Sequence, residues 1–434
     1  MRFVQITPGS GDNFYCENCL RDLDLVRAMR GRGVDMLMVP LYLPVGGQQG
    51  PSQGVPIFFG GINVYLQQKL ALFRRTPRWV DQWFDSRRLL GWAGRKAEMT
   101  SARDLGETTV SMLQGRDGMQ VKELDRLVEW LSLDAERPDV VCLSNALLLG
   151  LAPALKQRLQ VPAICLLQDE DGFVDGLGSP YAQQAWDLMQ RHASHVDAFV
   201  GVSRFYGGLM KERLRIAGEK VHVIPMGIPI DRYAAAPAPS EVPTIGFLSR
   251  QCQARGLDTL VEAFILLKRQ DRFRSLRLCV SGGKSQSDEP FIQGLCSKLA
   301  KAGILDDVAF WTDFSQEAKQ GFLTGLTVLT VPEKTPVAYG LYVLEALASG
   351  VPFVEPAIGV FPEILENTGG GVVYQDNTAK GLAAALESLL VDRDRAHRLG
   401  QQGREGLVRH YDVTQTAEQM IGLCRQLTGG SRWT

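Results

Sequence analysis

The apolar positions of this chain fall into short unbroken runs separated by stretches of helical spacing. Arg2–Thr7, Val34–Leu41, Val140–Leu143, Val161–Leu167, Ala198–Val202 and Val221–Ile224 read as strands. Between them Glu17–Arg32, Val121–Leu133, an apolar stretch ending near Leu159, Tyr181–Ser194 and Ser203–Ile216 read as helices, with one irregular region ahead of Val121. Short apolar strands alternating with helices predict βαβ units and a parallel sheet. Asp231–Val242 is rich in Ala and Pro, lacks a core pattern and reads as a linker. The alternation then restarts, with strands Thr244–Leu248, Leu276–Ser281, Val308–Trp311 and Thr327–Val331 and helices Leu257–Arg269, Pro290–Ala302 and Gln316–Leu323. Glu363–Glu366, Ala379–Leu390, Arg395–Arg409 and Asp412–Leu427 read as further helices, and Gly371–Tyr374 as a strand. The pattern predicts an α/β protein of two doubly wound units, residues 1–235 and 236–410, with 411–434 a terminal helix that could cross back to the first. At 434 residues the chain is too long for one ordinary core, which agrees.

Within the second unit one stretch stands out, Val331–Pro356. It reads as a strand end, a loop, a helix from about Tyr339 to Ala348, and a second strand. That helix is apolar almost all round, so it belongs between layers, yet Glu345 sits in its middle. A buried carboxylate is costly without a partner. Glu345 therefore either pairs with a structural cation or meets a polar ligand. The slim start at Ala338, Tyr339 and Gly340 leaves backbone N–H groups able to meet an anion. Just after the first strand of this unit, Arg250 and Arg255 lie five apart on a strand-to-helix turn, where they could grip a diphosphate or stand as surface arginines.

Gly340-Leu341, Leu344-Glu345-Ala346 and Ala348-x-Gly350-x-Pro352 followed by a strand resemble the signature of retaining glycosyltransferases of family 4, which have the GT-B fold. The likeness runs along nearly the whole chain and is most specific from Thr244 to Glu366. It implies two Rossmann-like parallel-sheet domains facing across a cleft, and transfer of a hexosyl group from a nucleotide-sugar donor to a hydroxyl of a saccharide, lipid or small molecule, with retention. Arg250 and Arg255 would then stabilise the departing diphosphate, Arg255 standing where such enzymes usually carry Lys. Gly340 and Leu341 N–H groups would assist, with Tyr339 beside them, and Glu345 would accept the ribose hydroxyls. No cofactor and no metal are implied, because GT-B enzymes generally neutralise the diphosphate with protein groups. In one respect the chain departs from the signature. The position eight residues before Glu345, where relatives carry a Glu that contacts the transferred sugar, holds Val337. Glu333 and Glu170 are the candidates to replace it. A catalytically idle protein that binds a nucleotide sugar or a partner is the rival reading. A nucleotide-sugar epimerase on the same architecture fits the Arg-x4-Arg and Gly-x4-Glu pairing less well.

In the first unit, Pro8-Gly9-Ser10-Gly11-Asp12 is a glycine turn that would let a ligand approach the backbone, or a plain strand-to-helix turn. It is not GxGxxG, which argues against a dinucleotide. The resemblance places Gly9, Ser10 and Gly11 at the donor or acceptor. Gln168-Asp169-Glu170-Asp171 ends a strand and offers sugar or acceptor contacts, a hard-cation site, or a solvated acidic loop. Cys16 and Cys19 form a CxxC at a helix start without the further ligands that zinc needs, which favours structural thiols. None of His192, His195, His222, His397 and His410 falls in a recognisable motif, so no histidine base is assigned.

Charge and composition narrow the partners. The balance of 47 basic against 48 acidic residues gives −1, so no global field favours nucleic acid. Phe73–Lys96 is locally basic, with seven cations against two carboxylates and four interleaved aromatics. That mixture suits a membrane surface or nucleic acid, but an ordinary helical cover on the acceptor side is favoured. No apolar run is long enough to span a bilayer, the N-terminus has no secretory core, and eight scattered cysteines suit a reducing compartment, so a cytoplasmic protein is expected.

Overall fold

The computed structural model describes residues 1–8, 17–41, 55, 58–59, 102–235, 242–313 and 315–429. Gly9, Ser10, Gly11, Cys16 and the basic stretch 73–96 lie outside the described residues, and of Cys19 only its place in a helix is described.

The chain divides into two compact units, one of Met1–Met226 with Thr416–Thr434 and one of Gly227–Gln415. In the first, β1 (Arg2–Thr7), β2 (Asp35–Pro40), β3 (Val140–Leu143), β4 (Ala163–Leu167), β5 (Ala198–Gly201) and β6 (Val221–Val223) form one sheet in the order β2-β1-β3-β4-β5-β6. In the second, β7 (Thr244–Leu248), β8 (Arg277–Ser281), β9 (Val308–Trp311), β10 (Val328–Leu329), β11 (Phe353–Pro356) and β12 (Gly371–Tyr374) run in the order β12-β11-β10-β7-β8-β9. Every pairing is parallel. Strands such as Val-Val-Cys-Leu and Ala-Ile-Cys-Leu-Leu are wholly buried because helices cover both faces.

The helices of the first unit are α1 (Glu17–Arg30), α2 (Ala102–Leu113), α3 (Val121–Leu131), α4 (Ala152–Leu159), α5 (Asp171–Gly176), α6 (Tyr181–Ala193) and α7 (Arg204–Arg213). Those of the second are α8 (Leu257–Lys268), α9 (Glu289–Lys301), α10 (Gln316–Thr324), α11 (Leu341–Ala348), α12 (Phe361–Thr368), α13 (Ala379–Leu390) and α14 (Arg393–His410), and α15 (Val413–Leu427) leads back into the first unit. Each sheet reverses its direction of growth at one place, between β1 and β3 and between β7 and β10. Such switch points open a crevice beyond the carboxyl ends of their strands, where ligands of open α/β sheets bind.

Several elements differ from their sequence-based expectation, each for a local reason. α2 falls in the region expected to be irregular, and α5 follows the Gln168–Asp171 loop, where no helix was expected. β10 ends at Leu329, two residues short of Val331, because the Val331 N–H goes to the Glu355 side chain instead of a neighbouring strand. The central helix begins at Leu341, two residues late, because Gly340 takes the left-handed conformation at φ 70°. The expected linker does not start at Asp231, since Tyr233 is buried in the second unit.

α14 seats the layer that holds α11. A Cβ on Gly400 would lie 1.9 Å from the carbonyl oxygen of Gly350, just past the end of α11. Gly400→Ala should therefore destabilise the second unit by about 1–3 kcal/mol, the usual cost of overpacking. On an exposed helix the same change gains about 1 kcal/mol. Chemical denaturation decides, and a stabilised variant would show that α14 can shift without cost.

Candidate functional site

The turn after β7 and the loop after β10 flank the switch point of the second sheet, and both arginines singled out by sequence lie on that turn. Arg250 binds the Asp288 carboxylate in a fork, Nε to Oδ2 at 3.0 Å and Nη2 to Oδ1 at 3.2 Å, and its Nη2 also donates to Ser285 Oγ at 3.0 Å. Burial works against ionisation of Asp288, but the hydrogen bonds from Arg250 and Ser285 outweigh it and hold the carboxyl below its usual range. The Arg250 side chain keeps 56% of its surface exposed. Arg255 donates through Nη1 to Glu333 Oε1 at 2.7 Å, and the Tyr342 hydroxyl donates to the same oxygen at 3.0 Å. Gly256, at φ 72°, ends the turn, and a Cβ there would meet the Pro332 carbonyl oxygen at 1.9 Å. The Arg255 turn and the Glu333 loop touch backbone to backbone, which only glycine permits.

Beyond the loop, Val337, Ala338, Tyr339 and Leu341 are buried, and the Val337 carbonyl accepts the Val360 N–H at 3.1 Å. Glu345, one turn into α11, is buried. Its Oε1 accepts from Lys319 Nζ at 2.8 Å and from the Tyr233 hydroxyl at 2.8 Å. The cation beside it is thus a lysine from α10, the structural-cation alternative expected from sequence. Neither Lys319 nor Tyr233 was singled out by sequence, and Tyr233 lay in the presumed linker. Glu355 on β11 was missed as well. It is fully buried, its Oε1 accepts the Val331 N–H at 2.8 Å, and its Oε2 has no hydrogen-bond partner. Burial, reinforced by the negative charge of Glu333, pushes its pKa well above the carboxylate range despite the Val331 N–H.

The first unit gathers a second polar cluster at its own switch point. Gln168 Nε2 donates to Asp22 Oδ1 at 3.1 Å and also reaches the Ser144 carbonyl, and Thr7 Oγ1 donates to Asp22 Oδ2 at 3.3 Å. Glu170 faces inward. Its Oε1 accepts the Ala146 N–H, and its Oε2 accepts the Gln168 N–H and the Tyr206 hydroxyl, each at 2.8 Å. Both oxygens thus hold the loop together. Asp169 is exposed, with its backbone in the left-handed region at φ 79°. Among the described residues no group of three or more His, Cys, Asp or Glu could hold a metal ion. No described helix is long and apolar enough to cross a membrane.

The two parallel-sheet units are matched by known proteins. Residues 22–227 match the family model described as Glycosyl transferase 4-like domain, and residues 233–406 match Glycosyl transferases group 1. Sucrose-phosphate synthase from Thermosynechococcus elongatus superposes with a TM-score of 0.71 at 17% identity, covering 99% of this chain and 100% of its own. The Anabaena protein Alr3699/HepE in complex with UDP gives 0.69 at 14% identity, covering 98% and 100%. The fold is GT-B. Curated relatives that match part of the chain are named as glycosyltransferases. The GDP-mannose-dependent alpha-(1-6)-phosphatidylinositol monomannoside mannosyltransferase of Mycobacterium tuberculosis is 30% identical over 198 residues, covering 42% of this chain and 50% of its own length. The D-inositol 3-phosphate glycosyltransferase of Nocardia farcinica is 30% identical over 192 residues, 42% of each chain. The GT-B chain described here thus spans half or less of the length of these relatives.

The first-unit cluster also makes a pH prediction. Burial pushes Asp22 up to about 6, against the opposing effects of Gln168, Arg21, Ser144 and Thr7. Burial likewise pushes Glu170 up to about 7, against its N–H and hydroxyl donors. Because both folded-state values are raised, the unfolded chain loses these protons first. The stability they give is complete below about pH 4 and is lost as pH rises through about 6 to 7. Asn at position 22 can still accept from Gln168 and can donate to Thr7. Asp22→Asn should therefore flatten the decline and gain up to about 2–3 kcal/mol at pH 8. Denaturant titrations at pH 4.5 and pH 8 test this, and an unchanged pH slope would contradict it.

Proposed function

We propose that this protein transfers a sugar from a nucleotide-sugar donor to a hydroxyl acceptor with retention at the anomeric carbon, as the family-4 signature implies. The observation that carries the reading is that Arg255, on the turn after β7, is joined through Glu333 to Tyr342 in the first turn of α11, with Arg250 on the same turn. Two guanidinium groups and the N-terminus of a helix favour a diphosphate there. In this reading the arginines stabilise charge on the departing diphosphate. Gly340 and Leu341 N–H groups assist, with Tyr339 beside them. Glu345 takes the ribose hydroxyls, exchanging its bond with Tyr233 or Lys319 for them. The first unit meets the acceptor through Asp169, and Gly9, Ser10 and Gly11 contact the donor or the acceptor, as the resemblance implies. No metal cofactor is required, because the cations are supplied by the chain.

Support for the donor class comes from the neighbours. One relative is named as GDP-mannose-dependent, and solved neighbours are complexes with UDP and UDP-glucose. Val337 favours a second reading, an idle nucleotide-sugar binder, because its buried side chain can neither accept a hydrogen bond nor supply charge.

The experiment is a thermal-shift screen of UDP- and GDP-sugars, followed by NMR of the products formed with saccharide, cyclitol and lipid acceptors. We expect a stabilising donor, slow transfer and an axial-to-axial or equatorial-to-equatorial outcome. Arg250→Ala should weaken binding of the matching nucleoside diphosphate by about 1.5–3 kcal/mol, the worth of a hydrogen bond to a charged group. Stabilisation without turnover on any acceptor would establish the idle reading. Inversion of configuration would exclude a retaining enzyme.

A further inference from the structure

We propose that Glu333 is a positioning residue that holds the Arg255 guanidinium in place for the donor diphosphate, an inference that rests on the reading of Arg255 given above. It reassigns Glu333 from the sugar to the phosphate side of the site.

Three separate elements meet at the Glu333 carboxylate. Arg255 comes from the turn after β7, Glu333 from the loop after β10, and Tyr342 from the first turn of α11. The Glu333 side chain is 1% exposed, whereas that of Arg255 is 35% exposed. The carboxylate is therefore the fixed partner and the arginine the adjustable one. The Glu333 backbone is pinned on both sides, with its N–H donating to the Val331 carbonyl at 2.7 Å and its own carbonyl accepting from Asn377 Nδ2 at 2.9 Å. The neighbouring Lys334 ties the same loop to the arginine turn, with its N–H on the Ala254 carbonyl at 3.3 Å and its Nζ on Asp258 at 2.7 Å. A carboxylate held this way cannot swing out to a sugar.

Its charge is also committed. Burial, reinforced by the negative charge of Glu333, pushes the Glu355 pKa up, while the Arg255 guanidinium donates to Glu333 itself. An arginine side chain has rotamer freedom to lose when it meets a phosphate. Ordering it beforehand against a rigid acceptor removes part of that cost from binding.

The test is a double-mutant cycle on nucleoside-diphosphate affinity, measured by calorimetry with UDP and with GDP. The proteins are wild type, Arg255→Ala, Glu333→Gln and the double variant. We expect Glu333→Gln to weaken the better ligand about tenfold, and to have no further effect once Arg255 is Ala. If Glu333→Gln does not fold, Tyr342→Phe replaces it. That change removes one donor from the carboxylate and should weaken binding about threefold in the Arg255 background alone. Equal losses with and without Arg255 would overturn the positioning role while leaving Arg255 in the site. Unchanged or tighter binding in Glu333→Gln would show a competitor for the arginine and would also overturn it. Unchanged binding in Arg255→Ala would remove Arg255 from the site, and with it both the parent reading and this inference.

Discussion

The second unit depends on matching buried carboxylates to cations delivered from other elements. Glu333 and Glu345 are 1% and 4% exposed, one on the loop before α11 and one within it. Burying a lone carboxylate in such a place costs several kcal/mol in desolvation. Arg255 answers the first and Lys319 the second, each joined by a tyrosine hydroxyl. Glu355, the third acid of the region, accepts only the Val331 N–H among the described residues, and burial pushes its pKa up. Through these pairings α11 is tied to the turn after β7, to α10 and to Tyr233. The crevice at the switch point is what those ties leave in place.

That arrangement changes the meaning of the missing signature carboxylate. Val337 sits where relatives of this type place an acid, and its surroundings are packed, with its backbone against Gly359 and Val360. The two acids expected from sequence to replace it are engaged elsewhere. Glu333 is occupied by Arg255 and Tyr342, and Glu170 in the first unit closes its own loop with both oxygens. In the proposed reading, the signature contact to the transferred sugar therefore has no replacement among these acids. Weak catalysis or a donor sugar that does not need the contact follows from the reading.

Much of the architecture could be read from the chain because its physical cause is local. Short apolar runs flanked by turns force strands, helical spacing forces the covering layers, and their alternation forces parallel sheets. Where local reading went astray, a side chain or a backbone angle intervened. Glu355 shortens β10 by taking the Val331 N–H, and Gly340 delays α11. The arginines could be picked out because of their type and their place on a strand-to-helix turn. Their partners could not. Asp288 lies 38 residues from Arg250, Glu333 78 residues from Arg255, and Tyr233 112 residues from Glu345. Separations of that size are set by strand order, which alternation alone does not specify. Asp22 and Tyr206 escaped notice for the same reason, since Gln168 and Glu170 reach them only through the sheet.

The central claim is that the switch point between β7 and β10 is a nucleoside-diphosphate site. Hydrogen exchange read by mass spectrometry, with and without saturating UDP or GDP, tests it most directly. The account predicts slower exchange in peptides covering 249–256 and 338–345, with the β12 side of the sheet unchanged. Saturating ligand that leaves both segments unprotected, or protects only peptides of the first unit, would contradict it.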